Sequence, residues 1–335
     1  MTNVNNQAPQ SDINVVIALF SNGQFEDALD AALTLVKGFP EDSLLQNIVG
    51  ACYAGLGMQG SAIISYDKAI AIKPDYAKAY YNLGGAHHEL RQYDDSVKSY
   101  EKSLEIDPNY AEAHNNLGNV LRDSGALEEA VISYEKALII NPVYLESHYS
   151  LGTSLQELGQ WDRMLEHLQQ AVSIKPNLAE AHNRIGTGLE ELGKVNEAVE
   201  SYQKAIEINP DFSEAFNNLG NAFKYLGQLD ESVKSYQKAL EINPDYPALH
   251  SNLGNVYKEI GQLDDALNSY LKGLTYNPEY IDLLNNLGVV FNELGQLDKA
   301  VNSYKRAILL EPDYAEAHNN LGVTYNKLGQ LEQAI

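Results

Sequence analysis

The chain repeats itself every 34 residues. Ala111–Tyr144 reads AEAHNNLGNVLRDSGALEEAVISYEKALIINPVY, and Ser213–Tyr246 reads SEAFNNLGNAFKYLGQLDESVKSYQKALEINPDY. A period of this length encodes one supersecondary unit that cannot bury its apolar side alone, so the units must stack. The chain is therefore read as a solenoid. A solenoid binds with extended faces rather than with one enclosed cleft.

Punctuation fixes the register. Counted from the Ala of AEAH, repeats begin at Pro9, Ser43, Ala77, Ala111, Leu145, Ala179, Ser213, Pro247 and Ile281, with an incomplete one at Ala315. Position 32 is proline from Pro40 to Pro312, position 8 is glycine from Gly50 to Gly322, and position 15 is glycine from Gly23 to Gly329, except at Arg91. Proline ends the second helix of each repeat. The position-15 glycine suits a left-handed turn after the first helix, where Arg91 is expected to be strained. The position-8 glycine lies inside a helix and costs about 1 kcal/mol against alanine. Its recurrence implies a close helix–helix approach.

Each repeat is thus helix, tight turn, helix. Positions 4, 7, 8 and 11 share one side of the first helix at 3.6 residues per turn. In Ala111–Tyr144 these are His114, Leu117, Gly118 and Leu121, facing Ala130, Tyr134 and Ala137 of the second helix. Small and large residues alternate, so neighbouring helices can interlock.

This pattern resembles the tetratricopeptide repeat family over nearly the whole chain. Leu-Gly at 7–8, Tyr at 11, Ala at 20, an aromatic at 24, Ala at 27 and Pro at 32 recur from repeat to repeat. The first repeat departs from it, with Val16 at position 8 and Leu35 at 27, as terminal repeats do where one face meets water. The resemblance implies an all-α fold, a right-handed superhelical solenoid of helix-turn-helix units. First helices would line a concave groove and second helices form the back. The domain expectation is a disordered lead over 1–8 and a single solenoid over 9–335. The chain stops at position 21 of its tenth repeat, so it is read as a fragment of a longer protein.

Composition narrows the function. A formal net charge of −23 argues against nucleic acid, which needs a cationic surface. No apolar run reaches the roughly 20 residues of a membrane span, and the N-terminus lacks a secretory pattern; no membrane partner and a cytoplasmic location are expected. One cysteine, Cys52, near position 11, excludes an internal disulfide and reads as a packed apolar residue.

Signals for chemistry fail on inspection. Gly55–Gly60 spells GxGxxG, but it follows a helix, and a dinucleotide site needs a strand before it. His114, His148, His182, His250 and His318 all occupy position 4, one per repeat, too far apart to share a metal at about 2.0–2.1 Å. They are read as packing or groove-edge residues. No catalytic residue, metal site or cofactor is expected.

Function is expected on the face opposite the core stripe, formed by positions 2, 5, 6, 9, 12 and 13. Position 6 reads Asn82, Asn116, Ser150, Arg184, Asn218, Asn252, Asn286 and Asn320; position 9 adds Asn119, Asn221 and Asn255; position 5 adds Asn115, Asn183, Asn217, Asn285 and Asn319. Asparagine is an indifferent helix former, so propensity does not explain the row. Its amide offers donor and acceptor at a regular spacing. One reading is a ladder that binds the backbone of an extended peptide. The other is hydrogen bonding between neighbouring repeats. The row is similar to that in the superhelical repeats of O-linked N-acetylglucosamine transferase, a resemblance confined to the repeats.

Carboxylates rim the row. Position 2 holds Glu112, Glu146, Glu180, Glu214, Asp282 and Glu316, and position 13 holds Glu89, Asp123, Glu157, Glu191, Glu259 and Glu293. Such a face prefers extended, neutral-to-basic segments, or is an ordinary solvated acidic surface. Members of the family that clamp acidic C-termini use lysine at 5 and a lysine–arginine pair at 2 and 6. Here Lys78 at position 2 meets Asn82, so no such clamp is expected. Leu145–Gly188 breaks the pattern with Ser150, Arg184, Trp161, Met164, His167 and Leu168. It is read as local repacking, with Arg184 paired to Glu180 one turn earlier, or as a contact patch anchored by Trp161.

The expected function is a protein–protein interaction scaffold, not an enzyme. The alternatives are the substrate-recognition arm of a larger glycosyltransferase or sulfotransferase lying beyond residue 335, and a scaffold that self-associates end to end.

Overall fold

The structure, a computed structural model, describes residues 7–330. Among the described residues the regular elements are nineteen α-helices. They fall into two compact segments, Met1–Lys175 and Pro176–Ile335. In the first, α1 (Gln10–Ser21) pairs with α2 (Phe25–Gly38), α3 (Ser43–Gly55) with α4 (Gln59–Ile72), and α5 (Ala77–Glu89) with α6 (Tyr93–Ile106). Then α7 (Ala111–Asp123) pairs with α8 (Leu127–Ile140), and α9 (Leu145–Glu157) with α10 (Trp161–Ile174). In the second, α11 (Ala179–Glu191) pairs with α12 (Val195–Ile208), and α13 (Ser213–Tyr225) with α14 (Leu229–Ile242). Next come α15 (Pro247–Ile260) with α16 (Leu263–Tyr276), α17 (Ile281–Glu293) with α18 (Leu297–Leu310), and α19 (Ala315–Lys327) packed on α18. Within each segment every pair also packs on the next. First helices from α3 to α19 begin at the residues the register gave, Ser43 to Ala315.

The helix ends follow from local chemistry. Between several repeats an Asp or Asn at position 31 accepts the N–H two residues on, as Asp107 does from Asn109 at 3.1 Å and Asn277 from Glu279 at 3.1 Å. This turn, with the proline inside it, stops the second helix and launches the next first helix. Second helices carry acids in their first turn, such as Glu128 and Glu129 or Asp264 and Asp265, which complement the helix dipole. The turn inside each repeat needs a left-handed residue: Gly125 has φ 89°, and Arg91 is forced to φ 56° in the same place.

The interior explains the glycine at position 8. The position-24 tyrosine of the second helix lies flat on it. A Cβ on Gly118 would sit 2.6 Å from Tyr134 Cε1, and one on Gly254 only 2.3 Å from Tyr270 Cε1. Tyr100, Tyr134, Tyr202, Tyr236, Tyr270 and Tyr304 are consequently among the largest fully buried side chains. Each such burial contributes about 2–3 kcal/mol.

Two repeats solve the same problem with different residues. Leu168 takes the tyrosine's place against Gly152, beside the buried Met164. Gly273 stands where most other repeats have alanine at position 27; a Cβ on it would lie 2.5 Å from Leu283 Cδ1.

At the N-terminus, residues 1–6 of the expected lead lie outside the described residues. Ala8 is part of the fold: it is buried, and its N–H donates to Asp42 Oδ2 at 3.0 Å. Asp42 Oδ1 also caps α3 by accepting from Leu44 and Leu45. The second helix expected after Gly329 lies outside the described residues. Among the described residues no helix is long and apolar enough to cross a membrane.

Candidate functional site on the first-helix face

Positions 5 and 6 of neighbouring first helices touch. Asn82 Nδ2 donates to Asn47 Oδ1 at 2.9 Å, and Asn116 Nδ2 to the Tyr81 hydroxyl at 2.9 Å. In the second segment Asn218 donates to Asn183 at 3.1 Å, Asn252 to Asn217 at 3.0 Å and Asn320 to Asn285 at 3.1 Å. Asn286 donates instead to Asn255 Oδ1 at 3.3 Å. The position-6 asparagines are therefore inter-repeat braces. Each brace takes one amide N–H. The second N–H, and the carbonyl oxygens of Asn82, Asn252 and Asn320, keep no protein partner among the described residues. The amide thus holds neighbouring repeats together and, in Asn82, Asn252 and Asn320, keeps hydrogen-bonding capacity that no described residue uses.

The position-5 asparagine extends the brace. Asn183 accepts from Asn218 and donates to Glu214 Oε1 at 3.0 Å; Asn285 accepts from Asn320 and donates to Glu316 Oε1 at 2.9 Å. Glu at 2, Asn at 5 and Asn at 6 thus form one network across these two junctions. Such a network locks side-chain rotamers before any ligand arrives.

Position 9 connects the face to the core. The buried tyrosines reach through the repeat to Asn119 (2.8 Å, from Tyr134) and Asn255 (2.7 Å, from Tyr270), and Tyr236 donates likewise to Asn221. Burial raises these phenols, Tyr134 to about 12, so they stay protonated donors. Tyr202 donates to Glu190, and position 9 of its repeat is Thr187. Ser150 and Arg184 occupy position 6 in α9 and α11, each half-buried. The position-2 and position-13 carboxylates from Glu89 to Glu316 are exposed.

One part of this face is not polar. A cavity of about 460 Å³ opens among α1, α3 and α5, walled by Ile17, Phe20, Leu44, Ile48, Tyr76 and Tyr81, with Asn47, Asn82 and Lys78 at its edge. Leu44 sits at position 2 and Ile48 at position 6, which are mostly carboxylate and amide in the other repeats, and Ile17 and Ala51 sit at position 9. Sequence reasoning began the asparagine row at Asn82 and missed it. The signal was available one repeat earlier, where Ile48 replaces asparagine.

The histidines have a repeated structural role. Nε2 of His114, His148, His182, His250 and His318 each donates to the carbonyl of the position-32 proline six residues before it, at 2.8–3.1 Å. They pin the inter-repeat turn. Burial lowers His114 and His250, so the neutral donor persists near neutrality. His148 and His167 approach to 3.2 Å through their Nδ1 atoms, and burial and then His148 lower His167. Cys52 is fully buried, its thiol pushed up to about 11 by burial. Gly57 of the GxGxxG string is the left-handed turn, φ 76°. Among the described residues no three His, Cys, Asp or Glu side chains gather to hold a metal ion.

Comparisons with known proteins agree with this architecture. Family models described as TPR repeat and tetratricopeptide repeat match residues 53–91, 75–142, 109–175, 189–227, 220–261, 254–292 and 290–329. A peroxisomal targeting signal receptor of Kluyveromyces lactis is 32% identical over 97 residues, 28% of this chain and 17% of the relative. An Hsp70-Hsp90 organising protein of Plasmodium falciparum is 32% identical over 77 residues, 23% of this chain and 31% of the relative. The matched stretches thus span under a third of either relative. The solved pilF of Pseudomonas aeruginosa shares the fold at 19% identity, with a TM-score of 0.53 over 66% of this chain and 96% of that one. On its period, its helix pairs and the matched repeats, the chain belongs to the tetratricopeptide repeat family.

Proposed function

We propose that the chain is a protein-interaction scaffold whose first-helix groove holds an extended segment of a partner protein. The observation that carries this reading is the half-used amide at position 6. Asn82, Asn252 and Asn320 are fixed by their brace to the next repeat and still present a free N–H and a free carbonyl oxygen. A fixed amide offering both groups matches a peptide backbone, and fixing it in advance removes an ordering cost from binding. The exposed carboxylates at positions 2 and 13 favour neutral-to-basic segments and disfavour acidic ones. Two relatives are named for recognising or organising other proteins, which supports binding rather than catalysis.

The test is fluorescence anisotropy with a labelled Gly-Ser-Arg decapeptide at two salt concentrations. Binding is expected to weaken as salt rises and to fall at least tenfold in Asn218→Ala with Asn252→Ala. Unchanged binding in that double variant overturns the ladder. Light scattering that shows mass rising with concentration would favour assembly between copies instead.

A further inference from the structure

We propose that the fifth repeat carries an acid-sensitive latch: the His148–His167 pair, which joins α9 to α10 through one shared hydrogen bond and opens when both imidazoles are protonated. The latch is independent of the groove reading. It accounts for His167, one of the departures from the repeat pattern that the groove does not use.

His167 takes a place that belongs to serine. At position 23 the other repeats from the second on have serine, from Ser65 to Ser303, each donating to the carbonyl four residues before it at 2.7–3.1 Å. Such a serine is satisfied within its own helix. His167 reaches across the repeat instead. Its Nδ1 lies 3.2 Å from Nδ1 of His148, which is buried at position 4 of α9. In the repeat before, where position 23 is Ser133, the same nitrogen of His114 is buried without a partner among the described residues.

The protons of the pair can be placed. The Pro142 carbonyl can only accept, so Nε2 of His148 carries a hydrogen and donates to it at 3.0 Å. In neutral His148 the Nδ1 is then an acceptor, and the Nδ1–H of His167 donates to it. A first added proton has Nε2 of His167 as its open site and leaves this bond intact. A second can go only to Nδ1 of His148. It sets two N–H groups and two positive charges face to face with no acceptor between them, so the rings must part. The charged groups around His167 are Arg163 and Glu166 of its own helix and Glu135 of α8, which Arg163 holds at 2.6 Å. Burial, then His148 and also Arg163, hold His167 below the ordinary imidazole range, against Glu166 and Glu135. The unfolded chain therefore binds more protons below about pH 6.5, and stability falls as pH falls through that range. Parting the rings acts on two joints at once. His148 pins the turn at Pro142, and His167 precedes Leu168, which lies against Gly152.

An NMR titration of the imidazoles in the full chain tests this, together with hydrogen exchange at about pH 7.5 and about pH 5. Two separated steps are expected, His167 first, with Nδ1 of His148 unprotonated until well below the ordinary value of about 6.5. Exchange in α9 and α10, corrected for its intrinsic pH dependence, is expected to speed up roughly threefold or more in acid. His167→Gln keeps a side-chain N–H for His148 and does not titrate. It is expected to remove most of that acid response and to leave exchange at about pH 7.5 within roughly twofold. His167→Ser, which restores the residue of other repeats, is expected to lower the response to that of α7 and α8, and it keeps the test open if the glutamine variant unfolds. Two imidazoles that titrate together near about 6.5 as independent groups overturn the latch. So does an acid response that is equal in the native chain and in both variants.

Discussion

The first-helix faces of residues 43–82 and 213–255 are built on the same interior and present opposite chemistry. Inside, both have a glycine at position 8 under a tyrosine at 24: Gly50 beneath Tyr66, Gly220 beneath Tyr236. Outside, the first shows Leu44, Ile48 and Ala51 where the second shows Glu214, Asn218 and Asn221. The two sets of positions bear different loads. Interior residues are held by contacts on every side, where one extra carbon is felt. Face residues are less uniform, from the exposed Glu214 to Ile48, which is buried in the N-terminal core cluster. The first-helix face therefore varies from repeat to repeat over a shared glycine–tyrosine interior.

The strongest way to break this comparison is to make an interior position behave like a face position. Gly254→Ala adds a Cβ 2.3 Å from Tyr270 Cε1. Overpacking costs about 1–3 kcal/mol and helix propensity returns about 1, so a net loss of up to about 2 kcal/mol is expected. Hydrogen exchange across α15 and α16 would read it locally, which suits a repeat protein better than one global unfolding curve. Tolerance of the alanine would mean that the glycine is not a packing requirement.

A subtler probe is the exchange of volumes at Gly273 and Leu283. Gly273→Ala alone is expected to destabilise α16 and α17 by about 1 kcal/mol, since the new methyl meets Leu283. Adding Leu283→Ala, the small residue of other repeats, is expected to relieve that clash. A double-mutant cycle in thermal melts would show the coupling, whereas additive effects would contradict it.

The smallest effect concerns the turn. Arg91 sits at φ 56°, where every other repeat has glycine. Left-handed backbone costs a side-chain-bearing residue about 1–2 kcal/mol, partly offset by glycine's greater freedom in the unfolded chain. Arg91→Gly is expected to stabilise by about 0.5–1 kcal/mol in urea melts. A loss of stability would assign Arg91 a contact that outweighs its backbone.

The fold was legible because its determinants recur. Proline at 32 and glycine at 8 and 15 place helix boundaries, and the structure begins α3 to α19 where that register put them. The close approach at position 8 was legible for the same reason. The face was legible only in part. The asparagine row stands out by its period, but whether each amide serves the neighbouring repeat or a ligand depends on rotamers that a sequence does not carry. The brace from Asn218 to Asn183 and on to Glu214 joins residues 31 to 35 apart, a spacing visible only after stacking. The apolar cavity escaped notice for the opposite reason. Ile48 and Leu44 break the period, and a reading that follows repetition passes over what does not repeat.

The most direct test is to follow the asparagine side-chain amides by NMR as the Gly-Ser-Arg decapeptide is added. The account expects the Nδ2 resonances of Asn82, Asn218, Asn252 and Asn320 to shift together while those of Asn268 and Asn302, on second helices, stay still. Shifts confined to the second-helix amides, with the position-6 row unmoved, would contradict the central claim that the first-helix face is where this chain binds.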